Sequence, residues 1–392
     1  MKMRKMFLAA LVGLGMLTGC NNEEIPAVNN DGTKSVALRL NGLTTSTRAV
    51  EAPQAGTAEG QQIALSSMTI YFTNGTNILK KETLTSSSVD SEGTNIWQAL
   101  TGSSGYIFHQ LPSTVTQVQI VGNSGGKTFT ETSVAALKAS VRNAADEQSF
   151  TNVTLFGEDT ALDSPDDSET GDEHVSNVLE ASVILQPLIA RFEIGNIACL
   201  DMGQTNCLIT KYDLKFIGLM DFNSGVTLGG TASGEYTLDN VLEPGSTVTE
   251  PGDVVFGATG TAASWAWDAI SGTGSTGINT ATPWNPNDNK KFVYQFVPNA
   301  LSNGNLVQVK LVLDNIEWAD GSSNPFNSVV TARFNKASGG ALTEFEAGKI
   351  YTVDYQFNST NIAPWNPDNV VCVQLNVTVA NWNVIALTPV FE

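Results

Sequence analysis

Histidine is almost absent: His109 and His174 are the only two in 392 residues. So few imidazoles leave no Cys/His cluster with zinc spacing, and acid–base chemistry near neutral pH lacks its usual side chain. Cysteine is scarce too, limited to Cys20, Cys199, Cys207 and Cys372, which excludes a disulfide-dense scaffold. Charged residues are only 15% of the chain and strongly biased, 20 Lys/Arg against 39 Asp/Glu, for a net charge of −19. That surface repels phosphates, so neither nucleic acid nor anionic lipid is an expected partner. Long hydrophobic runs are missing as well. The apolar stretch Met6 to Leu17, 12 residues, is too short to span a bilayer as a permanent helix.

That stretch has a different use. Lys2, Arg4 and Lys5 precede it and Leu17-Thr18-Gly19-Cys20 closes it. A charged region, a short apolar region and small residues before a cysteine are the order of a lipoprotein signal. Residues 1–19 are therefore expected to be a signal peptide and Cys20 the lipidated residue. Further on, Thr47-Arg48-Ala49 sets a lone arginine among small residues, where a trypsin-like protease would cut between Arg48 and Ala49. Residues 1–48 hold six Lys/Arg and three Asp/Glu, so the chain from Ala49 would carry −22.

Beyond the N-terminus, period-two alternation dominates. Val36, Leu38 and Leu40 share one face of a short strand in the segment before the cut. Strands are expected at Met68–Phe72, Tyr106–Phe108, Val115–Val121, Val153–Phe156 and Val183–Ile194, with one helical patch from Thr132 to Asn143. The second half reads the same way: Tyr212–Ile217, Phe292–Val297, Val307–Leu313, Val329–Phe334 and Ile350–Phe357. The chain ends in an expected hairpin, with Val371, Val373, Leu375, Val377 and Val379 on one face, a turn at Ala380-Asn381, and a return strand Trp382–Phe391. Strands separated by turn residues with almost no helix indicate an all-β protein of two β-sandwiches rather than a parallel α/β sheet. The domain boundary is expected near Leu188, after an acidic loop from Glu158 to Glu173.

Several local patterns suggest chemistry and are better explained without it. Gly122-Asn123-Ser124-Gly125-Gly126 matches the nucleophile elbow G-x-S-x-G, but the only downstream histidine, His174, lies in the acidic loop. Gly126-Lys127-Thr128 ends a near phosphate loop in which Val121 stands where the first glycine belongs. Asp163, Asp166, Asp167, Glu169 and Asp172 offer oxygen ligands without EF-hand spacing, so a solvated loop is the simpler reading. Trp265, Trp267 and Trp284 suit sugar stacking or core packing. Cys199 and Cys207 are either a possible disulfide across a hairpin or two buried thiols, and Cys372 is a small core residue. No enzyme activity, metal or cofactor is expected.

Together these pieces resemble the fimbrillin family of Bacteroidales, the shaft subunits of type V pili, along nearly the whole chain. Leu111-Pro112 leading into Val115–Val121 and Gly122-Asn123 is similar to the N-domain signature. Leu188–Ile194 (LIARFEI) is similar to the strand that opens the C-domain, and Phe345–Tyr351 (FEAGKIY) to an F-x-x-G-K-x-Y element of that domain. The terminal Val377–Val384 (VTVANWNV) resembles the last hairpin. Asn21-Asn22-Glu23-Glu24 resembles the surface-export signal of lipoproteins in that order, and Asp159-Thr160-Ala161 its O-glycosylation triplet, with Thr160 as acceptor.

The resemblance implies tandem transthyretin-like sandwiches: residues 20–48 as propeptide with a removable first strand, 49–188 as the N-terminal domain, and 189–392 as the C-terminal domain ending in a donor-strand hairpin. It implies an outer-membrane lipoprotein precursor, an Arg-specific gingipain-like protease as partner, and a homopolymer of pilin subunits at the cell surface supporting adhesion. The groove left by Val36, Leu38 and Leu40 would be refilled by the Val371–Val379 strand of the next subunit. Alternatives are a tip or anchor subunit of the pilus, or a monomeric glycan-binding surface lipoprotein.

Overall fold

The computed structural model describes residues 33–46, 62–102, 104–149, 153–164, 178–235, 266–270, 291–298, 307–324, 328–336, 342–362, 372–381 and 383–387. The first strands are β1 (Thr33–Asn41), β2 (Thr44–Ser46), β3 (Gln62–Leu65), β4 (Ser67–Thr73) and β5 (Ile78–Thr85). After them come β6 (Tyr106–Pro112), β7 (Gln117–Gly122), β8 (Val141–Asn143), β9 (Leu155–Asp159), β10 (Val178–Ile184) and β11 (Gln186–Pro187). One sheet has the order β10-β1-β6 and a second the order β11-β9-β7-β4-β5. Their inner faces share one core, in which Phe72 of β4 meets Phe108 of β6 at a ring separation of 5.1 Å. The outer strand β5 carries Lys80, Lys81 and Glu82, charges that discourage pairing with another chain.

The second half contributes β12 (Ala190–Cys199), β13 (Ile209–Met220), β14 (Gly225–Thr227), β15 (Ala232–Ser233), β16 (Trp267–Ala269) and β17 (Phe292–Phe296). It ends with β18 (Gln308–Trp318), β19 (Ser323–Asn324), β20 (Ser328–Lys336), β21 (Lys349–Phe357), β22 (Cys372–Asn381) and β23 (Asn383–Leu387). Their main sheet follows the path β16-β13-β18-β20-β22-β21-β12-β17. The path folds back on itself, because Tyr294 of β17 donates its hydroxyl to Asp268 of β16 at 2.7 Å and to the Ile217 carbonyl of β13 at 3.2 Å. Inside sits a second core. Phe192 is its centre, fully buried, with ring centroids 4.9 Å from Phe334, 5.2 Å from Phe296 and 5.3 Å from Phe345.

The two cores are stitched by backbone. β8 pairs antiparallel with β14, and the Gln148 amide exchanges hydrogen bonds with the Gln295 backbone across the joint. β8 is itself fixed by a buried pair: Arg142 Nε lies 2.9 Å from both Glu147 Oε1 and the Thr154 hydroxyl. Burial pushes the Glu147 carboxyl upward against the pull of Thr154 and Arg142.

The architecture is the all-β sandwich fold expected, with two short helices, α1 (Ile96–Thr101) and α2 (Val134–Ala139), among the described residues. Two local readings change. The helical patch ends at Ala139 rather than Asn143, because Ser140 turns extended and β-branched Val141 pairs with Thr227. Helix α1, capped by the Asn95 side chain accepting from Gln98 N at 2.9 Å, has no counterpart among the sequence expectations. It is too short for a visible period.

Among the described residues, β22 and β23 do not pair as the expected terminal hairpin. β22 pairs in parallel with β20 along Cys372–Val377 and antiparallel with β21 along Thr378–Asn381, so it passes from one partner to the other along its length. β23 instead runs in parallel between β2 and β3, in a separate three-stranded sheet.

Phe192→Ala should remove the ring that joins Phe296, Phe334, Phe345 and Tyr351. Chemical denaturation should then show the C-terminal sandwich destabilised by about 3–5 kcal/mol. A loss below about 1 kcal/mol would mean that the site collapses freely or that Phe192 is not central.

Candidate assembly groove

The strand read from sequence as removable is a middle strand of its sheet. Ser35–Asn41 of β1 pair in unbroken parallel register with Val178–Ile184 of β10. On the other side Val36, Ala37 and Leu38 oppose Phe108, Ile107 and Tyr106 of β6, with a register shift between Lys34 and Val36. The shift lies where Gln110 of β6 takes a positive φ of 55°. Two backbone edges therefore depend on β1. Without it, β10 and β6 would face each other across about 9–10 Å, each with a row of unpaired N–H and C=O groups.

Its side chains are equally committed. Val36 and Leu38 are fully buried and Leu40 is 4% exposed, all in the core that holds Ile70, Phe72, Phe108 and Val183. Burying three aliphatic side chains is worth roughly 5–9 kcal/mol at about 1.5–3 each. Polar bonds at the rim are lighter: Lys34 Nζ donates to the Val115 carbonyl at 2.8 Å, Ser35 Oγ meets His109 Nδ1 at 2.9 Å, and Asn41 Nδ2 donates to Ser182 Oγ. The groove walls were only partly visible in sequence. Tyr106 and Phe108 were read as strand, but Val178 and Leu179 directly follow the acidic loop and were not.

Cys20, Arg48, Ala49 and Val371 lie outside the described residues, as do His174, Trp265, Trp284 and most of the acidic loop. Val373, Leu375, Val377 and Val379 lie on β22, where Val373, Leu375 and Val377 are in register with Ala332, Phe334 and Lys336. The strand expected to be removed and the strand expected to replace it thus lie in different sheets. Thr160 is exposed just after β9, next to Asp159, whose carboxylate accepts from Ala161 N at 3.1 Å and Ser182 N at 2.8 Å. The Gly122–Gly126 turn serves β3: Asn123 accepts from Ser66 N at 2.9 Å and donates to the Ala64 carbonyl at 2.7 Å.

Cys199 and Cys207 are both buried thiols in the structure. The Cys199 thiol donates to Asp201 Oδ1 at 3.1 Å and the Cys207 thiol to the Ile209 carbonyl at 3.2 Å. Their ligand atoms and that of Asp201 lie within 4.8 Å of one another, a donor set of the kind that holds a soft cation. Burial opposes ionisation of Asp201, but hydrogen bonds from Ser359 and Cys199 outweigh it and hold the carboxyl below its ordinary range. Burial, reinforced by Asp201, pushes the Cys199 thiol up.

Two measurements follow. In the uncut protein Leu38→Ala should cost about 2–5 kcal/mol in urea titrations, and a neutral result would remove β1 from the core. A depressed carboxyl contributes stability that is present above about pH 4 and lost as pH falls through its folded value. Asp201→Asn should therefore flatten the acid limb of the stability curve, and an unchanged limb would remove Asp201 from that balance.

No protein-family model matches the sequence, and no curated protein is significantly similar to it. Solved structures are similar. A provisionally named cell adhesion protein from Bacteroides eggerthii is 14% identical, with 91% of this chain and 98% of that one covered at a TM-score of 0.53. A fimbrilin from Porphyromonas gingivalis is 9% identical over 92% of this chain and 99% of its own, with a TM-score of 0.47. The tip fimbrial protein Mfa3 of the same organism is 10% identical over 89% of this chain and 100% of its own, at 0.38. The chain thus has, over nearly its whole length, the fold of the Bacteroides eggerthii protein.

Proposed function

We propose that the chain is a pilus subunit of the fimbrillin type, a shaft subunit polymerised by strand exchange after Arg-specific proteolysis. The observation that carries the reading is the position of β1: a strand bonded on both edges, buried on its core face, and separated from Arg48 by only a few residues. A gingipain-like protease cutting after Arg48 would detach β1 together with the lipidated Cys20 and leave an extended groove. An extended segment of alternating apolar residues from another subunit would refill it, satisfying both backbone edges. The lipoprotein signal places the precursor in the outer membrane before the cut and the subunit in the extracellular fimbrium after it.

The donor comes from the C-terminal segment. Val373, Leu375, Val377 and Val379 match the period and side-chain size of Val36, Leu38 and Leu40. β22 is held within its own sandwich by six register pairs to β20 and four to β21, so its release costs more than that of β23, held by three register pairs on one side and four on the other. β23 is therefore the part that moves first.

Arg48→Ala should leave a lipidated monomer after treatment with an Arg-specific protease, while wild-type protein forms fibres visible by negative stain. Fibres in normal yield from the variant would defeat proteolytic activation. Truncation after Asn381 removes β23 and leaves β22 in its sheet. The truncated subunit should fold and be cut but fail to extend fibres, and its incorporation within a shaft would defeat the C-terminal donor.

A further inference from the structure

The segment upstream of Arg48 has a second strand that the emptied groove leaves unexplained. β2 pairs in parallel with β23, Thr44 with Ile385, Thr45 with Ala386 and Ser46 with Leu387. On its other side β23 pairs in parallel with β3, Asn383 with Gln62 through Ala386 with Leu65. The last described strand of the chain therefore lies between one strand upstream of Arg48 and one downstream, and residues 47–61 join the two.

We propose that β2 is a clamp on the subunit's own C-terminal strand, so that one cut at Arg48 both empties the acceptor groove and unfastens the donor. The inference rests on the proteolytic reading of Arg48. Its argument is topological. Only Gly42 and Leu43 separate β1 from β2, so whatever withdraws one strand withdraws the other. β3 stays behind, because it lies downstream of the cut and Ile63, Ala64 and Leu65 are fully buried. Loss of β2 leaves β23 with a single neighbour and an open edge.

The arrangement also protects the precursor. A loose C-terminal strand beside a filled groove would be an exposed edge, free to pair with other chains. Held between β2 and β3 it is bonded on both edges at Ile385 and Ala386. Donor and acceptor are thereby kept hidden together and exposed together.

Amide hydrogen exchange on the full chain tests the clamp. In a strand, successive N–H groups point to opposite sides, so only one of Thr44 and Thr45 can donate toward β23. Of the uncut variants Thr44→Pro and Thr45→Pro, one should speed exchange at Asn383–Leu387 by about tenfold or more while Thr33–Asn41 stay protected. The other, with its N–H directed away, serves as control. The same acceleration should follow cutting of the wild-type protein, a readout that holds even if a proline variant misfolds. Unchanged exchange at 383–387 in both variants and after cutting overturns the clamp. If the cut protein still forms fibres in that case, the strand-exchange reading stands without it. If cutting frees 383–387 and no fibres form, the clamp stands and the strand-exchange reading falls.

Discussion

A β-strand with two neighbours cannot be removed without leaving two rows of backbone groups unsatisfied, and this protein puts that constraint at two places. β1 lies between β10 and β6, and β23 between β2 and β3. Each buried N–H and C=O left without a partner costs more than the made bond contributes net. The fold is therefore stable as a monomer only while every one of these slots is filled. It also makes each slot a specific receptor for another extended segment, because a strand of the right period satisfies both edges at once.

The apolar side chains set the scale of that dependence. β1 supplies Val36, Leu38 and Leu40 to a core whose other members come mostly from residues 63–189. The C-terminal core is built separately around Phe192 and its aromatic neighbours. The two are joined through β8 and β14 and through a handful of C-terminal residues that pack against the first core, Val226, Leu228, Val297 and Ile350. Loss of β1 thus falls on one core and leaves the other intact.

Much of this was legible in the residues. Alternation located Ile350–Phe357 close to the observed β21, since a strand with one buried face writes that face into every second position, and Met68–Phe72 falls within β4, although β4 is buried on both faces from Ile70 to Thr73. β12 was harder, because it is buried on both faces and even carries the buried ion pair Arg191–Glu193. Helix α1 escaped because six residues are fewer than two turns, so its cap at Asn95 and buried Trp97 show no period. The terminal hairpin misled for a different reason. Two alternating segments around Ala380-Asn381 look like a hairpin locally, but β22 pairs with β20 and β21 and β23 with β2 and β3.

By itself the sequence determined which residues face inward, that the fold is all-β, and that a short apolar strand stands upstream of a lone arginine. Those properties are local, set by side-chain period and by the chemistry of neighbours in the chain. Only the tertiary structure decided which strands are partners: that β1 is a middle strand, and that β2 and β3 enclose β23. Backbone hydrogen bonding is the same for every residue and carries no sequence signature, so pairing between segments more than 300 residues apart, such as Thr44 with Ile385, is fixed by the packing of the whole molecule.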